Sequence, residues 1–225
     1  MKKIFLACLT AAAIAATLTG CSGGGEQEAI VANPDMEYYG QLADEGVTIN
    51  FANWGEYISD GTDGYPDIVS EFEKLTGITV NLTTFANNEE LYAKMEAGAA
   101  DYDLIIPSDY MISKMISEDM LEKLDFSNIP NYANIDEKYK NAEFDPNNEY
   151  SAPYFWGTVG IIYNKDLVDE ADLGWDILWN EKYADQILMF DNPRDAFAIA
   201  ENILGYSLNT ENPSELQAAA DLLTE

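Results

Sequence analysis

Residues 48–57 read TINFANWGEY, and this stretch decides how the rest of the chain is interpreted. Its first part alternates apolar and polar residues, with Ile49 and Phe51 on one face, which predicts a β-strand. A polar turn that carries Trp54 and Tyr57 follows at once. Ligands of open α/β sheets bind outside the carboxyl ends of the strands. The two rings are therefore predicted to line a cleft; packing under a surface loop is the alternative.

Strands and helices alternate on the carboxyl side of this stretch. Strands are predicted over residues 47–53, 78–84 and 102–106, the last of them buried. The first intervening helix is predicted over 64–76, with Pro66 in its first turn and Gly77 ending it, and the next begins at a capping box formed by Asn87 and Glu90. A third helix begins at Ser108. Such alternation predicts a parallel, doubly wound sheet.

The second half of the chain has a less regular pattern. Residues 151–164 carry few charges and are predicted to cross, in extended form, from one lobe into another. A short helical piece over 175–183 and a buried strand over 186–190 follow. Two further helices open at Asn192 and Asn212. The last has no terminator by residue 225, so the chain is expected to be the amino-terminal portion of a longer protein. The predicted domains are a first lobe, 47–152, and a hinge crossing with a partial second lobe, 153–225.

The composition excludes several classes of function. The 225 residues include 41 Asp and Glu against 11 Lys and Arg, a formal net charge of −30. Nucleic acids need a basic surface, so they are not predicted partners. Cationic ligands suit this field, although solubility alone would also explain it. There is no histidine, which removes serine triads and histidine-based zinc sites. No cofactor or metal is predicted. No disulfide is predicted either, because both cysteines precede residue 22.

The amino terminus has the pattern of a targeting signal. Lys2 and Lys3 precede an apolar run over 4–18, which predicts a signal peptide of residues 1–20. The run ends in Leu18-Thr19-Gly20-Cys21, a tetrapeptide that resembles the bacterial lipobox. Cys21 is therefore the predicted lipidation site, and residues 21–46 are a tether and lead-in. This predicts a lipid anchor at the outer face of the cytoplasmic membrane, on the periplasmic side.

Three predicted strand ends carry the candidate binding residues. The first supplies Trp54 and Tyr57, the third Ser108 and Tyr110, and the strand of the second lobe Asp191, Asn192 and Asp195. Aromatic rings pack against methylene groups and attract cations by about 0.5–2 kcal/mol per contact. Carboxylates accept charge-assisted hydrogen bonds from ammonium groups. The combination predicts a site for a small organic cation.

These residues also admit other interpretations. Ser108 suits an ordinary helix N-cap, and Asn192 with Asp195 suits a capping box. Asp191 and Asp195 could be the acid and base of a secreted glycoside hydrolase, but that chemistry needs carboxylates opposed across a cleft. An acidic surface lipoprotein without a small ligand is the third possibility.

Four stretches together resemble one known family. Residues 53–57, 103–110 and 144–158, and the turn after Phe190, occur in the same order in bacterial spermidine/putrescine-binding proteins. The chain resembles that family from about Val47 to its end. The resemblance implies an α/β fold of periplasmic-binding-protein type II, with two lobes joined by a hinge and the second lobe incomplete in this chain. It implies a monomer that captures a polyamine and delivers it to the permease subunits of an ABC importer, without catalysis.

The resemblance also implies roles for single residues. Trp54 and Tyr57 match the family's ligand-contacting Trp and Tyr, and Ser108 and Tyr110 match its Ser-x-Tyr wall. Asp195 matches a family Glu that meets an ammonium group. Departing from that pattern, Asn192 stands where the spermidine binders have Asp, which removes one formal charge. Asp191, one residue earlier, is the candidate to compensate.

Overall fold

The computed structural model describes residues 35–169, 172–189 and 191–224, so the predicted signal peptide, Cys21 and most of the tether lie outside it. The helices are α1 (Met36–Asp44), α2 (Ile68–Thr76), α3 (Asn88–Glu96), α4 (Asp109–Ser117), α5 (Pro193–Leu204) and α6 (Pro213–Leu223). The strands are β1 (Thr48–Trp54), β2 (Thr79–Phe85) and β3 (Leu104–Ile105). Short 3-10 turns occur at Thr62–Gly64, Phe126–Asn128, Pro130–Asn134, Glu137–Tyr139, Trp175–Trp179 and Glu181–Tyr183. None of the described helices has the length and apolar character needed to cross a membrane.

The sheet is parallel, with β1 between β2 and β3, as the alternating pattern predicted. The pairing of β1 with β2 runs from Thr48↔Thr79 to Trp54↔Phe85, and β1 pairs with β3 at Ala52↔Ile105. Because all three strands run the same way, their carboxyl ends lie at one edge of the sheet. That edge is where the predicted site residues emerge.

One apolar cluster holds the sheet and two of its helices together. Ala52 of β1 and Phe85 of β2 pack with Leu91 of α3 and with Met111 and Met115 of α4. These five side chains are buried, and their removal from water is the main favourable contribution to folding here. Leu91, Met111 and Met115 therefore mark the faces of α3 and α4 that pack on the sheet.

Helix α2 begins later than predicted. The Asp67 carboxylate accepts from the N–H of Ser70 at 3.0 Å and from its hydroxyl at 2.7 Å, so α2 starts at Ile68 and Pro66 lies before it. A side-chain acceptor at this position satisfies a free helix N–H, which fixes the first turn. Gly77 ends α2, as predicted, with φ of +75°.

The capping box before α3 is confirmed in one direction. Asn87 Oδ1 accepts from the Glu90 N–H at 2.9 Å. The Glu90 carboxylate reaches back one residue further than predicted and accepts from the Ala86 N–H at 3.2 Å.

Helix α1, capped by Asp35, was not predicted at all, because none of its residues is buried and its apolar pattern is correspondingly weak.

The third strand is shorter and more exposed than predicted. Only Leu104 and Ile105 pair with β1, and 49% of Leu104 is exposed. The expectation of a buried strand over 102–106 is therefore wrong. Within the described part of the chain, β3 is an edge strand, with β1 as its neighbour on one side. A strand is buried on both faces only where other elements cover both faces of the sheet.

Helices α5 and α6 form a second packed region together with the two 3-10 turns at 175–183. Its buried apolar residues are Ile177, Tyr183, Ile199, Ala200 and Ala219. The Trp179 indole N–H donates to the Leu222 carbonyl at 2.8 Å and ties these turns to α6. Helix α6 is described as far as Leu223, with Thr224 at its C-cap, and the expectation for residue 225 lies outside the described residues.

The strand predicted over 186–190 is also wrong where the structure describes it. Residues 186–189 form no strand, and Leu188 is 99% exposed. Phe190 lies outside the described residues. A buried parallel strand needs a hydrogen-bonded neighbour and a cover on both faces, and no described residue supplies them here. Residues 151–164 are free of helix and strand, in keeping with the predicted crossing segment.

A buried carboxylate organises the loop that leads into this crossing segment. Asp145 is 3% exposed and accepts from the backbone N–H groups of Glu149, Tyr150 and Ser151 at 2.9–3.0 Å. It also accepts from the Ser151 hydroxyl at 2.8 Å. Four donors offset the cost of burying the charge and fix the path of residues 145–151.

We expect Asp145→Ala to lower the free energy of unfolding by about 2–4 kcal/mol, because it removes a buried acceptor and leaves four part-buried donors without their partner. The measurement is urea denaturation followed by tyrosine and tryptophan fluorescence. Asp44→Ala, which removes an exposed carboxylate from α1, is the control and should change stability by about 0.5 kcal/mol or less. Equal losses in the two variants would contradict the organising role of Asp145.

Candidate functional site

Trp54 is held at the carboxyl edge of the sheet by contacts to all three strand ends. It is the last residue of β1, and its ring centroid lies 4.7 Å from that of Phe85, the last residue of β2. Its indole N–H donates to the carbonyl of Ile106, just after β3, at 2.8 Å. The indole is only partly buried. A rigidly placed aromatic surface at the sheet edge is suited to contact a ligand.

Tyr57 extends this aromatic surface toward the crossing segment. Its ring lies 5.8 Å from the Trp54 ring and 5.2 Å from the Phe155 ring, and 43% of Tyr57 is exposed. The Tyr154 hydroxyl donates to the Tyr57 carbonyl at 2.6 Å, which fastens the crossing segment to the turn after β1. Trp54 and Tyr57 therefore belong to one aromatic cluster, as the predicted cleft requires.

A cleft of about 440 Å³ opens beside this cluster. The rings of Tyr57, Tyr65 and Phe155 and the carboxylates of Glu56 and Asp60 line it. Hydrogen bonds from the Thr62 side chain and backbone hold the pKa of Asp60 below its ordinary value, so this carboxylate is charged at neutral pH. The cleft thus combines aromatic faces with negative charge.

Ser108 and Tyr110 are joined through a residue that was not predicted. The Asn88 amide donates to the Ser108 hydroxyl at 3.0 Å and to the Tyr110 hydroxyl at 2.9 Å. Its oxygen accepts from the Ser108 N–H at 2.9 Å. Ser108 does stand at the N-cap position of α4, but its side chain makes no capping bond. The capping role is wrong because fully buried Asn88 requires the hydroxyl as a partner.

The Tyr110 hydroxyl is kept neutral. It donates to a Glu89 carboxylate oxygen at 2.9 Å. Burial is the main cause that raises the pKa of Tyr110 to about 12, and the Glu89 charge adds to it. Tyr110 therefore presents an uncharged ring and a fixed hydroxyl.

Arg194 brings the start of α5 against the start of α4. Its guanidinium carbon lies 5.0 Å from the centre of the Tyr110 ring, a cation–π contact between residues 84 positions apart. Asn192, the N-cap residue, and Asp195, in the first turn, flank Arg194 at the start of α5. No local sequence pattern links Arg194 to Tyr110, because the two residues are far apart in the chain.

The remaining predicted residues lie around the N-terminus of α5. Asn192 Oδ1 accepts from the N–H groups of Arg194 at 3.1 Å and Asp195 at 3.4 Å, so Asn192 caps the helix. Burial raises the pKa of Asp195 above its ordinary value. Asp195 accepts no side-chain hydrogen bond from the described residues, and Asp191 is exposed. The ligand-contacting roles of all three remain predictions.

Several residues of the site were missed. Asn88 stands next to Asn87, whose capping role explained the pair, and Glu89 looked like an ordinary acidic residue of a first helical turn. Phe155 lies in the stretch that carries the family resemblance, which is the only signal that pointed to it. Their roles depend on contacts between distant parts of the chain.

Comparison with known proteins shows the family of this chain. Residues 67–225 match the family described as bacterial extracellular solute-binding proteins. The spermidine/putrescine-binding periplasmic protein of Escherichia coli (strain K12) is 41% identical over 181 residues, which cover 79% of this chain and 50% of that protein. The chain thus spans about half the length of the curated relatives that it matches.

Solved structures give the same result. The spermidine/putrescine ABC transporter substrate-binding protein PotD from Streptococcus pneumoniae is 43% identical with a TM-score of 0.59, covering 78% of this chain and 52% of that one. The TpPotD lipoprotein of Treponema pallidum is 35% identical with a TM-score of 0.70, covering 79% and 54%. These similarities confirm the predicted periplasmic-binding-protein fold. The match over residues 67–225 shows that the chain belongs to the bacterial extracellular solute-binding protein family.

Proposed function

We propose that this chain is the polyamine-capturing part of an extracytoplasmic substrate-binding component of an ABC importer, with spermidine or putrescine as its ligand. The observation that carries the proposal is the aromatic cluster of Trp54, Tyr57 and Phe155 bordered by the carboxylates of Glu56 and Asp60. Matched relatives named for spermidine and putrescine support the same ligand class.

The chemistry of a polyamine fits these groups. Its methylene chain packs on the faces of Trp54 and Tyr57, which lose little conformational freedom because both rings are already held. Its ammonium groups pair with carboxylates, and we assign one of them to Asp195. Ser108 and Tyr110, fixed by Asn88, form the polar wall of the proposed site.

The proposal includes capture between two lobes, residues 47–152 and 153–225. The Tyr154 bond to Tyr57 lies next to the proposed boundary, and the Arg194 contact with Tyr110 crosses it. Closure of two lobes around a ligand is a common way for a receptor to signal occupancy to a partner. The partners are the permease subunits of the importer, and a relative named as an ABC transporter substrate-binding protein supports this assignment.

We further propose that the protein is a monomer anchored through lipid on Cys21 at the outer face of the cytoplasmic membrane. The basic start, the apolar run and the Leu18–Cys21 tetrapeptide support this. A matched relative is named a lipoprotein and another is named periplasmic. One acyl chain alone binds membranes reversibly, so a stable anchor requires more than one.

No catalytic step belongs to the proposal. The hydrolase alternative requires Asp191 and Asp195 to face each other across a substrate. Both residues instead flank the start of the same helix, where Asn192 occupies the cap. This arrangement favours a binding role.

We expect Asp195→Asn to weaken spermidine and putrescine binding about 10- to 100-fold, because a charge-assisted hydrogen bond contributes about 1.5–3 kcal/mol. Isothermal titration calorimetry on the purified chain measures the change. Glu71→Gln is the matched control: it removes one exposed charge from α2, where Glu71 pairs only with Lys74. If polyamine binding weakened similarly in both variants, the loss would reflect the overall charge of the protein and not a contact with Asp195. Glycoside turnover lost in Asp195→Asn would support the hydrolase instead.

As the pH is lowered, polyamine affinity should begin to fall at a higher pH than it would if Asp195 had the ordinary pKa of an aspartate. Burial raises the pKa of Asp195, so this group takes up a proton at a higher pH than its ordinary value and loses its attraction for ammonium. Tryptophan fluorescence titrations with putrescine between about pH 7 and about pH 4 measure the dependence. Asp195→Asn should have the flatter profile in this range. Identical profiles would remove Asp195 from the site.

Cys21→Ser should abolish acylation and release the protein from the membrane fraction. Metabolic labelling with a tritiated fatty acid, followed by fractionation, measures both effects. Cys8→Ser is the matched control, because residue 8 lies inside the predicted signal peptide and should not carry lipid. Labelling that persists in Cys21→Ser would contradict the anchor.

A further inference from the structure

The hydrogen bonds around Asn88 fix where the hydrogens of the proposed polar wall point. The Ser108 N–H donates to Asn88 Oδ1 at 2.9 Å, which identifies the amide oxygen and leaves the amide nitrogen facing the two hydroxyls. That nitrogen lies 3.0 Å from the Ser108 hydroxyl and 2.9 Å from the Tyr110 hydroxyl. An amide nitrogen carries two hydrogens, so Asn88 donates one to each hydroxyl oxygen.

The Tyr110 hydroxyl gives its own hydrogen to Glu89. A carboxylate oxygen accepts hydrogen bonds, and one oxygen of Glu89 lies 2.9 Å from this hydroxyl. Burial is the main cause that raises the pKa of Tyr110 to about 12, so the hydroxyl retains its hydrogen at neutral pH. The Tyr110 oxygen therefore receives a hydrogen from Asn88 and directs its own toward Glu89.

This order of hydrogens uses up most of the donors of the wall. Both amide hydrogens of Asn88, the Ser108 N–H and the Tyr110 O–H are engaged, and the Ser108 hydroxyl hydrogen is the one that these contacts leave unassigned. Oxygen lone pairs remain on both hydroxyls. The wall is thus mainly an acceptor surface, which suits the N–H groups of an ammonium.

The wall adjoins the aromatic part of the proposed polyamine site. Trp54 and Tyr110 both pack against the apolar cluster of β1, β2, α3 and α4. The Trp54 indole also donates to the carbonyl of Ile106, which lies two residues before Ser108. A ligand held on Trp54 can therefore present an ammonium group to the hydroxyl oxygens of the wall.

Arg194 contacts a different part of Tyr110. Its guanidinium carbon lies 5.0 Å from the ring centre and so covers one face of the ring, whereas the hydroxyl lies at the ring edge. Glu89 and Arg194 bring opposite formal charges beside Tyr110, and these charges offset one another. The direction of the hydroxyl hydrogen therefore decides which ligand group Tyr110 can bind.

We propose that Glu89 is a specificity-determining positioning residue of the polyamine site. By accepting the Tyr110 hydrogen it makes Tyr110 an acceptor, and the site then selects ammonium groups that carry N–H donors. The inference rests on the proposed polyamine function and adds to it a residue that acts through Tyr110. A quaternary ammonium has the same charge but no N–H group, so it forms no hydrogen bond with this acceptor.

Glu96 provides a matched control on the same helix. It is exposed, like Glu89, and it also accepts from a tyrosine hydroxyl, that of Tyr92 at 3.1 Å. It lies seven residues after Glu89, which is roughly 10 Å further along α3. Glu96→Ala therefore removes the same charge and the same kind of bond at a distance from the proposed site.

The test is a double-mutant cycle on putrescine affinity, measured by isothermal titration calorimetry on the purified chain. Glu89→Ala should weaken binding at least about fivefold, and Tyr110→Phe, which removes the hydroxyl, at least as much. In a chain that already carries Tyr110→Phe, Glu89→Ala should change the affinity less than about twofold, because its effect passes through the hydroxyl. Glu96→Ala should stay within about twofold of the parent.

A second ligand separates the hydrogen bond from the charge. The compound 1,4-bis(trimethylammonio)butane has the two charges and the butane chain of putrescine but no N–H group. The parent should bind putrescine at least about tenfold more tightly than this compound, and Glu89→Ala should reduce that ratio at least about threefold, because only putrescine loses a hydrogen bond. The bulk of the methyl groups is the same for every variant and cancels in the comparison.

An effect of Glu89→Ala that persists undiminished beside Tyr110→Phe would overturn the inference, because Glu89 would then act by its charge alone. An unchanged ratio between the two ligands, or an equal loss in Glu96→Ala, would do the same. A parent chain that binds no putrescine would reject the proposed polyamine function and this inference with it. Putrescine binding by the parent without a response to Glu89→Ala would reject only the role of Glu89.

Discussion

The parallel pairing of β1 between its two neighbours is the constraint on which the rest of the structure depends. It directs the ends of β1, β2 and β3 to one edge of the sheet, where Trp54 meets Phe85 and the carbonyl of Ile106. The arrangement has a cost, because the buried Asn53 amide nitrogen beside Trp54 has no hydrogen-bond partner in the described part of the chain. The pairing and the apolar cluster beneath it offset that cost and hold the indole in a fixed place.

Contacts between distant segments convert this edge into a binding surface. Asn88 joins Ser108 to Tyr110, Tyr154 fastens the crossing segment to Tyr57, and Arg194 rests on the Tyr110 ring. Each contact removes freedom from a side chain before any ligand arrives, and such preorganisation lowers the entropy lost on binding.

The local charge distribution favours a cationic ligand beside Tyr57. The cleft beside Tyr57 combines rings with the carboxylates of Glu56 and Asp60, which suits a ligand that is cationic throughout. The large negative charge of the whole chain favours the approach of cations in general, so selection between ligands depends on these local arrangements.

The sequence by itself determined the parallel sheet, the caps at Asn87, Asn192 and Asn212, and the stop at Gly77. These follow from residue periodicity and local hydrogen bonding, which nearby residues specify. The family could also be predicted from the sequence, through stretches such as residues 144–158. The shared turn at residues 53–57 predicted that Trp54 and Tyr57 lie together.

Only the tertiary structure decided the rest. The patterns of residues 102–106 and 186–190 favour buried strands, but burial depends on neighbours that a short apolar run does not specify, and the described parts of both are exposed. The Ser108 hydroxyl accepts a hydrogen bond from Asn88 and does not cap α4, because the buried Asn88 amide needs a partner. Arg194 gains its contact with the Tyr110 ring only once the chain has folded, because 84 positions of sequence separate the two residues.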